Sequence, residues 1–228
     1  MKKALIVVTN VSKYENINRP TGLWLGEVVH FVDELYKKGF EIDYVSPNGG
    51  YAPIDPSSLA KEVMTDLDWI YYQNQEFLDK LGFTLSPTEI VPADYEIIYY
   101  AGGHGVMWDF KSDKNLQKIA SDIYMNNGII SAVCHGVVGL LDIKSDKDNY
   151  LIKNKKVTGF SNSEEYELGL SDFVPYLTED SLKERNAIYS QGKNWHEFSV
   201  QDDRVVTGQN PQSGKAVAKK VLSILNTN

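Results

Sequence analysis

Five short apolar runs punctuate the chain: "ALIVVT" (4–9), "FEIDYVS" (40–46), "YEIIYYA" (95–101), "GIISAV" (128–133) and "RVVTG" (204–208). Their length and their β-branched and aromatic content predict buried strands. Between them lie segments of helical periodicity: 22–38, 114–126, a short run after His135, and "PQSGKAVAKKVLSIL" (211–225) with Pro211 at its start. Strands alternating with helices predict a three-layer α/β sandwich around a mostly parallel sheet. Two segments interrupt the alternation. Residues 48–91 hold "NGGYAPIDPSS" and an aromatic helix-like run, "DWIYYQNQEFLDKLGF". Residues 144–187 hold an expected hairpin in "LIKNKKVTGF", followed by acidic helical segments. Both read as elaborations within a single domain spanning 1–228. In such folds ligands sit outside the carboxyl ends of the strands, where these additions can wall a pocket.

Composition narrows the picture by exclusion. The 228 residues are 42% hydrophobic and 24% charged, enough for one good core. No stretch approaches the ~20 apolar residues that span a bilayer. The apolar run in "MKKALIVVTN" is too short for a secretory signal and reads as the first strand. A single cysteine forms no internal disulfide, which fits a cytoplasmic location. A net charge of −8 with scattered Lys and Arg argues against nucleic acid or an anionic membrane as partner.

That cysteine lies in "IISAVCHGVVGLL" (129–141). A strand ends abruptly at Cys134-His135-Gly136 and helix-compatible residues follow, the order of a nucleophile elbow with Cys in place of Ser. A helix N-terminus behind the sulfur would favour the thiolate. The plainer reading is a buried cysteine that caps a strand. His135, as the next residue, faces Cys134 only if the elbow backbone is unusual; its N–H is a candidate oxyanion donor. A second donor is expected from "YYAGGHG" (99–105), at Gly103, because glycines let backbone N–H groups approach a ligand. Gly102 and His104 of that turn, with Trp24, are candidate substrate contacts.

In "TGLWLGEVVHFVDELYKKG", Leu23, Glu27, Phe31 and Leu35 recur every four residues, so Glu27 lies on the apolar stripe of a helix. A buried carboxyl has a raised pKa and suits proton transfer. A Glu at the rim of a helix start is the alternative. Glu27-x-x-His30 also resembles half of a carboxylate-bridged metal site. The second half is missing, and the four histidines (30, 104, 135, 196) form no H-x-H or H-E-x-x-H. No metal and no cofactor is expected.

The Glu27 helix, "AGGHG" and "AVCHG", in that order, resemble the ThiJ/PfpI superfamily, the flavodoxin-like relatives of class I glutamine amidotransferases. More narrowly, "TGLWLGEVVHFVDELYKKGFEIDYVSPNGG", "AGGHGVMWDF", "SAVCHG", "VTGFSNSEE" and "VVTGQNPQS" are similar to its glyoxalase III and heat-shock chaperone branch. The resemblance covers almost the whole chain. It implies a flavodoxin-like sandwich, Cys134 as nucleophile, His135 as its imidazole partner and Glu27 bonded to the sulfur. It implies a third acidic residue at Glu165, which a one-residue slip would exchange for Glu164. It further implies conversion of methylglyoxal to lactate without glutathione, a homodimer, and unfolded proteins as conceivable partners. Three alternatives stay open: a hydrolase or protein deglycase that uses the same elbow, a non-enzymatic holdase that binds unfolded chains through an exposed apolar patch without need of Cys134, and an oxidation sensor at Cys134.

Overall fold

In the computed structural model, which describes residues 2–145 and 149–226, the expected alternation is present. The elements run β1 (Lys3–Val7), α1 (Leu25–Tyr36), β2 (Glu41–Val45), α2 (Asp66–Tyr72), α3 (Gln75–Gly82), β3 (Ile97–Tyr100), α4 (Val106–Asp109), α5 (Lys114–Met125) and β4 (Ile129–Val133). They continue through β5 (Lys156–Val157), α6 (Asn162–Leu168), α7 (Thr178–Glu184), β6 (Ile188–Tyr189), β7 (Ser199–Asp202), β8 (Val205–Gly208) and α8 (Gly214–Leu225). The main sheet has the order β2-β1-β3-β4-β8-β7, parallel except for β7. This is the doubly wound, flavodoxin-like order with an antiparallel edge strand added.

Both faces of the central strands are covered, which is why they read as continuous apolar runs. On one face Ala4, Ile6 and Tyr99 pack with α1 and α8 residues such as Phe31, Val32, Val217 and Val221. Phe31 stacks on Tyr99 with centroids 3.6 Å apart. On the other face Leu5, Val7, Ile98 and Ile130 pack with Leu116, Ile119 and Ile123 of α5. The order reverses direction between β1 and β3, and the carboxyl ends of β1, β3 and β4 converge beside that switch point.

Two local expectations change. The aromatic run 68–83 is two helices, because Asn74 accepts a hydrogen bond from Phe77 N–H (2.9 Å) and caps a new start. The expected hairpin at 151–160 is absent. Residues 151–154 form turns, and Lys156–Val157 pairs in parallel with Ile188–Tyr189 in a separate two-stranded sheet. The partner lies some thirty residues downstream, beyond the reach of a local pattern. Strand β7, half-buried and polar ("SVQD"), carries too little apolar signal to be read from sequence.

Candidate active site

Strand β4 ends at Val133 in extended backbone, and Cys134 turns at φ +57°, a conformation few non-glycine residues adopt. A 3-10 helix over Cys134–Leu140 follows at once. The positive φ supplies the unusual backbone that a Cys-His neighbour pair requires. It brings His135 Nδ1 to 3.4 Å from Cys134 Sγ. Strain of this kind costs about 1–3 kcal/mol and persists where the surroundings over-determine it. Here the Cys134 carbonyl accepts from Phe160 N–H (3.2 Å). The Phe160 ring lies 4.2 Å from the His135 ring, centroid to centroid.

Glu27 is fully buried in the first turn of α1, so the rim position does not apply. Its Oε2 accepts from Gly102 N–H at 2.7 Å, and the Cys134 thiol lies near enough to act on its carboxyl. Oε1 is buried without a nitrogen or oxygen partner among the described residues. Burial dominates the electrostatics and pushes the Glu27 carboxyl up to about 8, although the contacts with Cys134 and Gly102 pull the other way. At neutral pH Glu27 holds its proton. Burial and then the Glu27 carboxylate push the Cys134 thiol up. The two groups oppose each other's ionisation, so a thiolate forms next to a protonated Glu27, which can donate to it.

A raised carboxyl ties stability to pH. Between the ordinary Glu value and about 8 the native state holds a proton that the unfolded chain has released, so stability falls as pH rises through that window. The slope is at most about 1.4 kcal/mol per pH unit. Glu27→Gln removes it. Urea unfolding at pH 5 and pH 8 should therefore show the variant gaining on the wild type toward pH 8.

The two adjacent glutamates, Glu164 and Glu165, sit in different surroundings. Glu165 Oε2 lies 2.6 Å from His135 Nε2, and its Oε1 lies 2.8 Å from His104 Nε2. Burial alone would raise the Glu165 carboxyl, but His135 and His104 hold it well below the usual range. It is ionised, so both imidazoles donate through Nε2, and His135 Nδ1 is left as an acceptor facing the sulfur. Burial, with His104 close by, lowers His135, which keeps it neutral at physiological pH. Glu164 faces away. It accepts from Ser161 N–H and Oγ–H, Trp195 N–H, Gln209 Nε2 and Asn210 Nδ2.

The remaining expected residues are placed as follows. Gly103, at φ +102°, reaches the cavity wall beside Cys134, His135, His104 and Trp24. A Cβ there would meet Gly22 O at 2.3 Å. Gly102 does not line the cavity; it anchors Glu27. A Cβ on Gly102 would lie 2.6 Å from Glu27 Oε2 and 3.0 Å from Cys134 Cβ. Gly102→Ala should therefore displace the carboxyl, destabilise the fold by about 1–3 kcal/mol and slow alkylation of Cys134 by iodoacetamide. Urea titration and the alkylation rate check both effects. His104 meets the cavity but is bound to Glu165, a partnership that the sequence did not signal. His30 turns from Glu27 toward Asp68, at 3.2 Å, which removes the half metal site. His104, His135 and Glu165 are near enough together to offer ligand atoms to a metal ion. Their two short hydrogen bonds already account for those atoms, and no metal role is assigned.

These atoms open into a cavity of about 490 Å³ with Cys134 in its wall. Cys134 itself is only 3% exposed. A thiol between a buried carboxyl and an imidazole, with a carboxylate behind the imidazole, has the groups that addition to a carbonyl and successive proton transfers would need.

Comparison with known proteins agrees with this architecture. The chain is 34% identical to the glutathione-independent glyoxalase HSP31 of Saccharomyces cerevisiae, over 98% of both chains. The crystal structure of glyoxalase III from Candida albicans superposes with a TM-score of 0.91 at 33% identity, covering 100% of this chain and 98% of that one. The Rapid Encystment Protein 24 KDa of Francisella tularensis superposes with a TM-score of 0.94 at 39% identity and 99% coverage of both. The DJ-1/PfpI family pattern runs through residues 22–224, and by that match, on the flavodoxin-like scaffold and the elbow described above, this chain belongs to the DJ-1/PfpI family.

Proposed function

We propose that the chain is a glutathione-independent glyoxalase that converts methylglyoxal to lactate at Cys134. The observation that carries this reading is the placement of the Cys134 thiol, 3.4 Å from His135 Nδ1 and beside the buried Glu27 carboxyl that Gly102 N–H anchors. The glyoxalase names of relatives spanning the whole chain support it. His135 Nδ1 takes the thiol proton and the sulfur adds to the aldehyde carbon. Glu27 protonates the resulting oxyanion, with the Gly103 and His135 amides as candidate donors to it. The product is a hemithioacetal.

The Glu27 carboxylate then removes the hydrogen from the former aldehyde carbon, and the enediolate oxygen takes its proton from the His135 imidazolium. Glu27 returns a proton to the neighbouring carbon while the first hydroxyl gives its own to His135, leaving a thioester. Water attacks the thioester, Glu27 accepts the water proton and the imidazolium protonates the departing sulfur. Lactate leaves, and the enzyme regains its starting state. The oxidation of one substrate carbon is balanced by reduction of its neighbour, so the sequence consumes no external oxidant.

The test is product identity. Reduced protein free of glutathione should form one lactate per methylglyoxal consumed and should show no comparable turnover of acyl esters. Ester or amide hydrolysis without lactate would move the assignment to a cysteine hydrolase.

A further inference from the structure

The cavity is far larger than a three-carbon aldehyde fills: about 490 Å³ lies within the range of sites that enclose ligands of drug size. Its chemistry also changes away from the sulfur. His30 lies on α1 three residues beyond Glu27, displaced about 4.5 Å along the helix axis, and lines the same cavity. Its Nε2 sits 3.3 Å from Thr65 Oγ1 and 3.2 Å from Asp68 Oδ1. Asp68 is 2% exposed and fixed by its Oδ2, which accepts from Thr65 N–H and Oγ1–H, both at 2.8 Å. Burial would raise this carboxyl, but His30 and Thr65 hold it below its usual range, so it is ionised. Its Oδ1 is buried with no hydrogen bond of good geometry. The mechanism above uses none of these groups.

Thr65 Oγ1 gives its own proton to Asp68 Oδ2, so it accepts from His30 Nε2–H; with Asp68 Oδ1 beside it, this orients the ring and leaves Nδ1 on its other side. Nδ1 has no hydrogen-bond partner among the described residues. Trp24 and Trp195 supply flat apolar walls in the same cavity. Charge selects among possible tails. Arg19 lines the cavity with no carboxylate partner among the described residues and disfavours a cation. Glu62 and the ionised Asp68 disfavour an anion. Asp55, also in the lining, is committed to Thr21 and Ser57. What remains favoured is a neutral chain of hydroxyl groups.

We infer that the site takes 2-oxoaldehydes longer than methylglyoxal that carry a polyhydroxylated tail, with His30, held by Asp68, as the group that hydrogen-bonds the tail. This inference rests on the glyoxalase reading of the Cys134 site.

The experiment compares two six-carbon probes on the wild type: 3-deoxyglucosone, with a polyol tail, and 2-oxohexanal, of equal length and apolar. A site built to bond hydroxyls should favour the polyol by at least about tenfold in kcat/KM, expressed in KM. His30→Leu should erase most of that preference through KM, and His30→Gln, which keeps hydrogen-bonding atoms, should restore part of it. Equal or better use of 2-oxohexanal overturns the inference, and so does rejection of both probes by a protein that turns over methylglyoxal. Calorimetric binding of the two probes to Cys134→Ala separates this from the underlying reading. If no aldehyde is turned over by the wild type, the glyoxalase reading fails. Selective binding of the polyol would then still support the tail site, and its absence would overturn that too.

Discussion

Glu27→Gln should lower methylglyoxal turnover by about 10²–10⁴-fold, the range of a lost acid–base group, while leaving the fold intact. The amide matches the carboxyl in size and can still accept from Gly102 N–H, which donates to Glu27 Oε2 at 2.7 Å. It can also donate to the sulfur. It cannot pass a proton between the two substrate carbons. Alkylation of Cys134 by iodoacetamide, which needs only the thiolate, should fall much less than turnover. The pH profile gives a second signature. The proposed mechanism starts from neutral His135 and protonated Glu27, so the wild-type rate should decline on the alkaline side near pH 8, where burial pushes the Glu27 carboxyl. Its partner limit lies on the acid side, because His135 is lowered. In Glu27→Gln the residual rate should lose the alkaline decline. An unchanged alkaline limb would assign that titration to another group.

The adjacent carboxylates of α6 should separate stability from activity. Glu164 is completely buried, and its two oxygens accept five hydrogen bonds from Ser161, Trp195, Gln209 and Asn210. Each oxygen faces at least two donors, so an amide N–H₂ at either place meets donors with a donor. Glu164→Gln should cost about 3 kcal/mol or more in urea unfolding, the penalty of at least one buried donor pair left unmet. Glu165→Gln differs because its partners are imidazoles, which can exchange tautomers to meet an amide. Its stability cost should be the smaller of the two. Its catalytic cost should be large, about 10²–10⁴-fold, because the amide removes the charge that favours the His135 imidazolium and relaxes the tautomer that leaves Nδ1 free for sulfur. Paired urea titrations and turnover measurements decide the matter. Equal stability losses with equal activity losses would contradict this division.

Much of the scaffold was legible because its signals are local. Buried parallel strands are short apolar runs, and the switch from strand to 3-10 helix at Cys134 shows as a change of period at a single Cys-His-Gly. Glu27 was legible for a similar reason: a carboxyl on the apolar stripe of a helix contradicts its surroundings. The illegible parts depend on elements far apart in the chain. The link from His104 to Glu165 joins the end of β3 to α6, sixty-one residues later. The role of Glu164 becomes visible only when Gln209 and Asn210, after β8, fold back onto it. In sequence the two glutamates differ by one position; in space one serves the imidazoles and the other secures the loop that carries Trp195. His30 was read with Glu27 by spacing alone, yet Asp68 of α2 takes it instead. The hairpin at 151–160 failed because Val157 pairs with Tyr189 rather than with a neighbour.

The most direct test of the account is to catch the substrate on the sulfur. Reduced protein is mixed with methylglyoxal without glutathione, quenched in acid within the first turnovers, and analysed by intact mass and peptide mapping while lactate is assayed in the same samples. The account predicts an adduct of one substrate unit on the Cys134 peptide, its decay in step with lactate formation, and neither adduct nor lactate from folded Cys134→Ser. Lactate formed by Cys134→Ser at an undiminished rate, or an adduct on Cys134 that persists while lactate accumulates, would contradict it.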